Sequence, residues 1–126
     1  MTNKNYLKGY RFEIRVIKSL EKLGWFAIRS AKSRFPDSFA AKDGWSFYIE
    51  CKNRKKMPYN KLFLLSKEER DKSSRIINIT SIPLFLFYNE NRKIRILAVG
   101  GKGIVLAGTL EKDINERKRK VQPETE

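Results

Sequence analysis

Asp43-Gly44-Trp45-Ser46-Phe47-Tyr48-Ile49-Glu50-Cys51-Lys52 is the stretch that decides how this chain folds. Asp-Gly is a strong hairpin signal, because both positions of the tight turn need positive φ. The eight residues behind it alternate cleanly. Trp45, Phe47, Ile49 and Cys51 fall on one face of a strand, and Ser46, Tyr48, Glu50 and Lys52 on the other. An acid and an amine are thus presented side by side, while Cys51 points away and reads as a small buried strand residue rather than a nucleophile. Upstream, Pro36-Asp37 opens a second predicted strand over residues 37–41, which the turn folds back against the first. An Asp brought beside Glu50 can share a divalent cation with it, leaving Lys52 to hold an attacking water or a phosphate oxygen. Taken alone, acid-x-Lys is a short pattern that a solvated sheet face also produces. Its setting between a hairpin turn and a preceding acid gives it weight.

Towards the N-terminus, residues 10–23 read as a helix whose apolar arc carries Phe12, Ile14, Val16, Ile17, Leu20 and Leu23. Lys8, Arg11, Arg15, Lys18 and Lys22 form a cationic stripe on the remaining arc, and Gly24 is a stop signal. Glu13 falls within the apolar arc. A carboxylate placed there is costly unless paired or metal-bound, so it is either a site residue or a stem reaching a nearby Lys or Arg. A strand over residues 25–29 follows, then a loop over 30–36 whose Ser30, Lys32, Ser33 and Arg34, together with Arg29, suit the gripping of phosphates.

Beyond Lys52 comes a basic loop, Asn53-Arg54-Lys55-Lys56. A second helix begins at Ser66, where Glu69 three residues later completes a capping box. Strands are expected over residues 84–88 and 94–99, joined by a hairpin over 89–93, with Gly100-Gly101-Lys102-Gly103 as punctuation. From Glu111 on, apolar residues are few and the stretch is expected to fray. The order α-β-β-β-α-β-β predicts an α/β fold, a mixed central sheet flanked by helices. We expect a single domain over residues 1–110 and a charged, flexible tail over 111–126.

Composition narrows the chemistry. Among 126 residues, 28 Lys plus Arg against 14 Asp plus Glu leave a net charge of +14, with a pI near 10.1. Such an excess points to a polyanionic partner, nucleic acid first. No apolar run approaches the roughly 20 residues that span a bilayer, and no signal-peptide pattern opens the chain, so no membrane and an intracellular location are expected. One cysteine and no histidine exclude an intrachain disulfide and a conventional zinc site, and remove the commonest general base. Catalysis here must run on carboxylates, lysine and metal. Trp25 and Trp45 read as core or interface residues.

Lys8-Gly9, Phe12-Glu13, Arg29-Ser30-Ala31-Lys32-Ser33, Pro36-Asp37 and Ile49-Glu50-Cys51-Lys52, in this order, resemble the archaeal Holliday junction resolvases of the PD-(D/E)xK nuclease superfamily. The resemblance spans about residues 8–88. It implies a restriction-endonuclease-like core that works as a homodimer on four-way DNA junctions and resolves them by paired symmetric nicks. By the same resemblance Glu13, Asp37 and Glu50 are the metal-coordinating acids, with the Cys51 carbonyl as a further metal contact. Lys52 is the catalytic amine, and Ser33 and Arg29 meet the substrate phosphate. The implied ion is Mg²⁺, with Mn²⁺ able to substitute. DNA contacts are expected from Lys8, Arg11, Arg15, Arg29, Ser30, Lys32, Arg34, Arg54, Lys55 and Lys56. The implied setting is the cytoplasm or nucleoid of a prokaryote, or a virus-encoded protein in its host. A related nuclease acting on duplex, flap or damaged DNA would carry the same catalytic residues, and a basic DNA-binding protein without cleavage is the remaining alternative.

Overall fold

The computed structural model describes residues 4–30 and 35–120. In chain order they form α1 (Lys4–Lys22), β1 (Phe26–Arg29), β2 (Ser38–Lys42), β3 (Trp45–Lys52), a short 3-10 helix (Lys61–Leu64), α2 (Lys67–Thr80), β4 (Leu84–Glu90), β5 (Lys93–Val99) and α3 (Ile104–Lys120). The five strands make one mixed sheet in the order β1-β2-β3-β4-β5. Asp43 and Gly44 both adopt positive φ, 50° and 85°, as the tight turn between β2 and β3 requires. β3 and β4 alone are parallel, so a crossover must join them, and α2 supplies it.

The alternation in β3 sorts the side chains into two cores. Phe47 and Ile49 face α1 and α3, meeting Phe12, Val16, Leu20, Phe85, Phe87, Ala107 and Leu110. Phe47 stacks on Phe85 at 4.7 Å between ring centroids, with Trp25 at 4.9 Å on its other neighbour side. Leu84, Leu86 and Val99 face the opposite way, against Leu64, Leu65, Ile76 and Ile77 of the 3-10 helix and α2. Each face of the sheet centre is therefore covered by helix, as a strand flanked on both sides requires.

Three expectations are corrected. α1 begins at Lys4 rather than near residue 10. Trp45, expected in a core or interface, is not in the core but 66% exposed: it opens β3 opposite Lys42 at the hairpin end and lines a cavity with Ile104, Val105 and Leu106 of α3. The charged stretch from Glu111, expected to fray, continues as α3 to Lys120. Polar side chains hold it there. Glu111 accepts the Ile96 N–H at 2.7 Å, while Asn115 accepts the Ile94 N–H at 3.2 Å and donates to the Ile94 carbonyl at 2.7 Å. These contacts close the outer edge of β5, which an unpaired strand must have satisfied in some way. The remaining tail residues, 121–126, lie outside the described residues.

One irregularity places the site. β2 begins at Ser38, opposite Ile49, so β3 runs on through Glu50, Cys51 and Lys52 with β4 beside it and, among the described residues, no strand on its other flank.

Candidate active site

Asp37 fills the fork that β2 leaves. Its Oδ2 accepts the Cys51 N–H at 3.0 Å, the group a longer β2 would have paired. In return the Asp37 N–H donates to Glu50 Oε1 at 3.1 Å. The two acids expected to share a cation are thereby locked to one another through backbone, on the residues where the strands part. Glu50 is 4% exposed. Its second oxygen, Oε2, lies 3.5 Å from Lys52 Nζ, as the shared face of β3 dictates.

Glu13 comes from α1 on the opposite side of the sheet. Its carboxylate pairs with the Arg29 guanidinium, at 2.7 Å from Nε and 2.6 Å from Nη2, and it also lies within hydrogen-bonding reach of Asp37. Arg29 in turn stacks over the Tyr10 ring at 4.8 Å. Glu13 therefore does both things the sequence left open: it joins the acids, and it is paired with an Arg.

Burial and crowding change the titration of Asp37 and Glu50. Burial pushes Asp37 up from 3.8 to about 7, against the help of the Cys51 N–H, and the charge of Glu13 adds to the rise. Glu50 is pushed from 4.5 to about 8 by burial first and the Asp37 charge second, with Lys52 opposing. The Cys51 thiol is raised well above its ordinary value by burial and by the same acids, which removes it as a nucleophile. Two buried acids that resist ionising together are a donor set for a cation, since a positive ion would supply what Lys52 alone does not. As they stand, no group of three His, Cys, Asp or Glu side chains among the described residues forms a finished metal cage. Asp37 and Glu50 each have one oxygen engaged by a backbone N–H.

Lys52 has a partner the sequence did not reveal. Glu69, at the start of α2, reaches Lys52 Nζ with Oε2 at 3.0 Å, closer than Glu50. The capping box is as expected, with Ser66 Oγ accepting the Glu69 N–H at 3.1 Å and Glu69 Oε1 accepting the Ser66 N–H at 2.9 Å. That spacing gave the helix start, but nothing local could show that the free carboxylate oxygen crosses to β3. Burial alone would raise the Glu69 pKa, yet the Ser66 N–H and Lys52 outweigh it and hold the group below the usual carboxylate value.

The remaining expected contacts are spread around this centre. Lys8, Arg11 and Arg15 are exposed on α1 and, with Phe12, Asn53 and Asn89, line a cavity of about 230 Å³. Arg15 also donates to the Arg92 carbonyl, which ties α1 to the β4–β5 hairpin. Arg54, Lys55 and Lys56 are exposed directly beyond β3. Ser30 stands at the end of β1, its N–H donating to the Asp37 carbonyl at 2.6 Å. Lys32, Ser33 and Arg34 lie outside the described residues. No helix among the described residues is long and apolar enough to cross a membrane.

Comparison with known proteins bears on the family and the fold. A family model described as archaeal Holliday junction resolvase (Hjc) matches residues 4–73, more than half of the 126 residues. Among solved structures, the chain is similar to Hjc from Archaeoglobus fulgidus, described as a Holliday junction resolvase from an archaeal hyperthermophile. The two are 29% identical, with 73% of each chain covered and a TM-score of 0.62. No curated protein matches the chain.

Proposed function

Since the chain belongs to the archaeal Holliday junction resolvase (Hjc) family of metal-dependent endonucleases, we propose that the fork between β2 and β3 is its catalytic centre. Its mixed sheet flanked by helices is the restriction-endonuclease-like fold. The observation that carries the reading is the interlock of Asp37, Glu50 and Lys52 where β3 loses its partner: the Asp37 N–H donates to Glu50, the Asp37 carboxylate accepts the Cys51 N–H, and Glu50 faces the Lys52 ammonium.

Asp37 and Glu50 would hold the divalent ion, Mg²⁺ by this reading with Mn²⁺ able to replace it, and Glu13 and the Cys51 carbonyl would complete its surroundings. When bound, the ion supplies neutralisation of the buried acids and of the charge that builds on the phosphate. Lys52 holds the attacking water or a non-bridging phosphate oxygen. Water oxygen bonds to phosphorus and gives up a proton to solvent, the bond to the 3′ oxygen breaks, and that oxygen takes up a proton from solvent, giving 3′-hydroxyl and 5′-phosphate ends. Arg29 is kept at the mouth of the site by Glu13 and Tyr10, where its guanidinium meets the backbone phosphate together with Ser30 and Ser33. The basic groups, Lys8, Arg11 and Arg15 on α1 and Arg54, Lys55 and Lys56 beyond β3, take the phosphates further along the DNA arms, and Lys32 and Arg34 are DNA-binding residues by the same reading. The substrate by this reading is the four-way junction. Two copies of the site on a homodimer would match the near-symmetry of such a junction and produce paired nicks.

Cleavage of a four-way junction, a fork and a linear duplex should be compared in Mg²⁺, in Mn²⁺ and in EDTA. Wild-type protein is expected to cut the junction preferentially and to be silent in EDTA. Asp37→Ala and Lys52→Ala should lose at least about 100-fold in cleavage while still shifting the junction in a gel. Removing an acid takes away repulsion toward phosphate, so Asp37→Ala has no reason to bind less. Equal cutting of linear duplex would refute junction selectivity, and a fully active Lys52→Ala would remove the site.

A further inference from the structure

Lys52 is held more firmly by Glu69 than by Glu50, and the two carboxylates differ in what else holds them. Glu50 Oε2 is 3.5 Å from the ammonium and Glu69 Oε2 is 3.0 Å, so only the second is a hydrogen bond of ordinary length. Glu50 faces Asp37 and stands among the proposed ion's ligands. Glu69 is not one of them, although its charge reaches Glu50; it sits on the first turn of α2, with Oε1 fixed by the Ser66 N–H. A capping box needs only that one oxygen. The other is free, and it crosses the chain by 17 residues to reach the site lysine.

The difference matters once a cation neutralises Asp37 and Glu50. Lys52 then loses its attraction to Glu50, and a four-carbon stem ending in a compact ammonium has many rotamers open to it. Glu69 keeps its charge and its backbone anchor in that state. Both members of the pair are largely enclosed, with side chains 14% and 23% exposed, so water screens the pair less than it would at the surface. We infer that Glu69 is the positioning residue for the nuclease reaction: tied to the N-terminus of α2, it aims the Lys52 ammonium at the scissile phosphate. This rests on Lys52 being the amine of the reaction. It gives the Ser66 and Glu69 pair two separable roles, since the Ser66 hydroxyl serves the helix start and the Glu69 charge serves the site.

Glu69→Gln separates them. The amide oxygen can still accept the Ser66 N–H, while the negative charge facing Lys52 is gone. Single-turnover cleavage of a four-way junction at saturating protein should fall roughly 10-fold to 100-fold, the scale of a small misplacement of a reacting group. Junction affinity measured by gel shift in EDTA should stay within about twofold, and the melting temperature within a few degrees. Ser66→Ala, which keeps the backbone N–H that anchors Glu69, should do the reverse: a lower melting temperature by a few degrees and cleavage at the wild-type rate. Wild-type cleavage by Glu69→Gln, beside an inactive Lys52→Ala, would overturn the inference and leave Lys52 in place. An equal rate loss in Ser66→Ala would also overturn it, by returning Glu69 to the helix start alone. An active Lys52→Ala would instead strike the reading of the site itself.

Discussion

At Asp37 and Glu50 the physics of a metal site conflicts with the physics of folding. Both acids are buried beside one another, Asp37 pushed to about 7 and Glu50 to about 8. In an unfolded chain they release their protons near pH 4, so between about pH 4 and pH 8 the folded protein holds more protons than the unfolded one. Stability must then fall as pH rises through that window. Glu69, whose pKa is lowered, acts in the opposite sense and only at more acidic pH. In EDTA, the melting temperature of wild-type protein is expected to drop between pH 5 and pH 9. Glu50→Gln should lose much of this slope and melt higher than wild type at pH 9, by roughly 5 °C, although it cannot work as a nuclease. Millimolar Mg²⁺ should restore the wild-type melting temperature at pH 9 and do little at pH 5. A scanning-calorimetry series flat across this range would mean that the acids ionise freely. What was legible in the sequence at this scale follows from short-range geometry: period 2 put Glu50 beside Lys52, and the hairpin brought Asp37 to both. The bonds from Arg29 to Glu13 and from Lys52 to Glu69 were not legible, because each joins residues 16 or 17 apart through tertiary packing rather than through a repeating pattern.

Among the elements, the start of α2 and the strand faces that depend on local chemistry were readable, while the start of α1 and the whole of α3 were not. The Ser66 capping box, the Asp43-Gly44 turn and the alternation of β3 are each fixed by residues within a few positions of one another. Helix α3 carries few apolar residues after Leu110, and its attachment to β5 depends on Glu111 and Asn115 meeting main-chain groups of Ile94 and Ile96. A polar residue in a helix reads as solvent-facing from sequence, because hydropathy cannot distinguish water from a strand edge as its partner. Asn115 both accepts from and donates to Ile94, which is 1% exposed, so its loss leaves two main-chain groups poorly satisfied. Asn115→Ala is expected to destabilise the fold by about 2 kcal/mol, seen as a lower urea midpoint with an unchanged m-value. Asn115→Asp, which keeps the acceptor and loses the donor, should fall between the two. A midpoint shift of less than about 0.5 kcal/mol for Asn115→Ala would mean that water replaces the side chain without cost, and that the apolar contacts of Ala107, Leu110 and Ile114 hold α3 by themselves.

Over the whole molecule, a net charge of +14 must be reconciled with a catalytic centre built from acids. The structure does this by segregation. The acids are drawn inward at the strand fork, and Arg54, Lys55 and Lys56 stand exposed on the segment that leaves β3 just beyond it. A DNA backbone attracted to the basic flank is thereby led toward a centre that would otherwise repel it, and the attraction is a long-range, salt-sensitive one. Each lysine or arginine that neutralises a phosphate contributes about −0.9 to the slope of log affinity against log salt. Replacing Arg54, Lys55 and Lys56 together with Gln should therefore flatten that slope by up to roughly 2.7 and weaken junction binding at least about 10-fold at 0.1 M salt. Single-turnover cleavage at saturating protein should change little, because none of the three touches Asp37, Glu50 or Lys52 in the structure. Affinity titrations of a four-way junction from 50 to 300 mM KCl test this directly. A triple variant with the wild-type slope would place the DNA elsewhere, along the Lys8, Arg11 and Arg15 face of α1, and the same titration on a charge-removed α1 would then carry the missing slope.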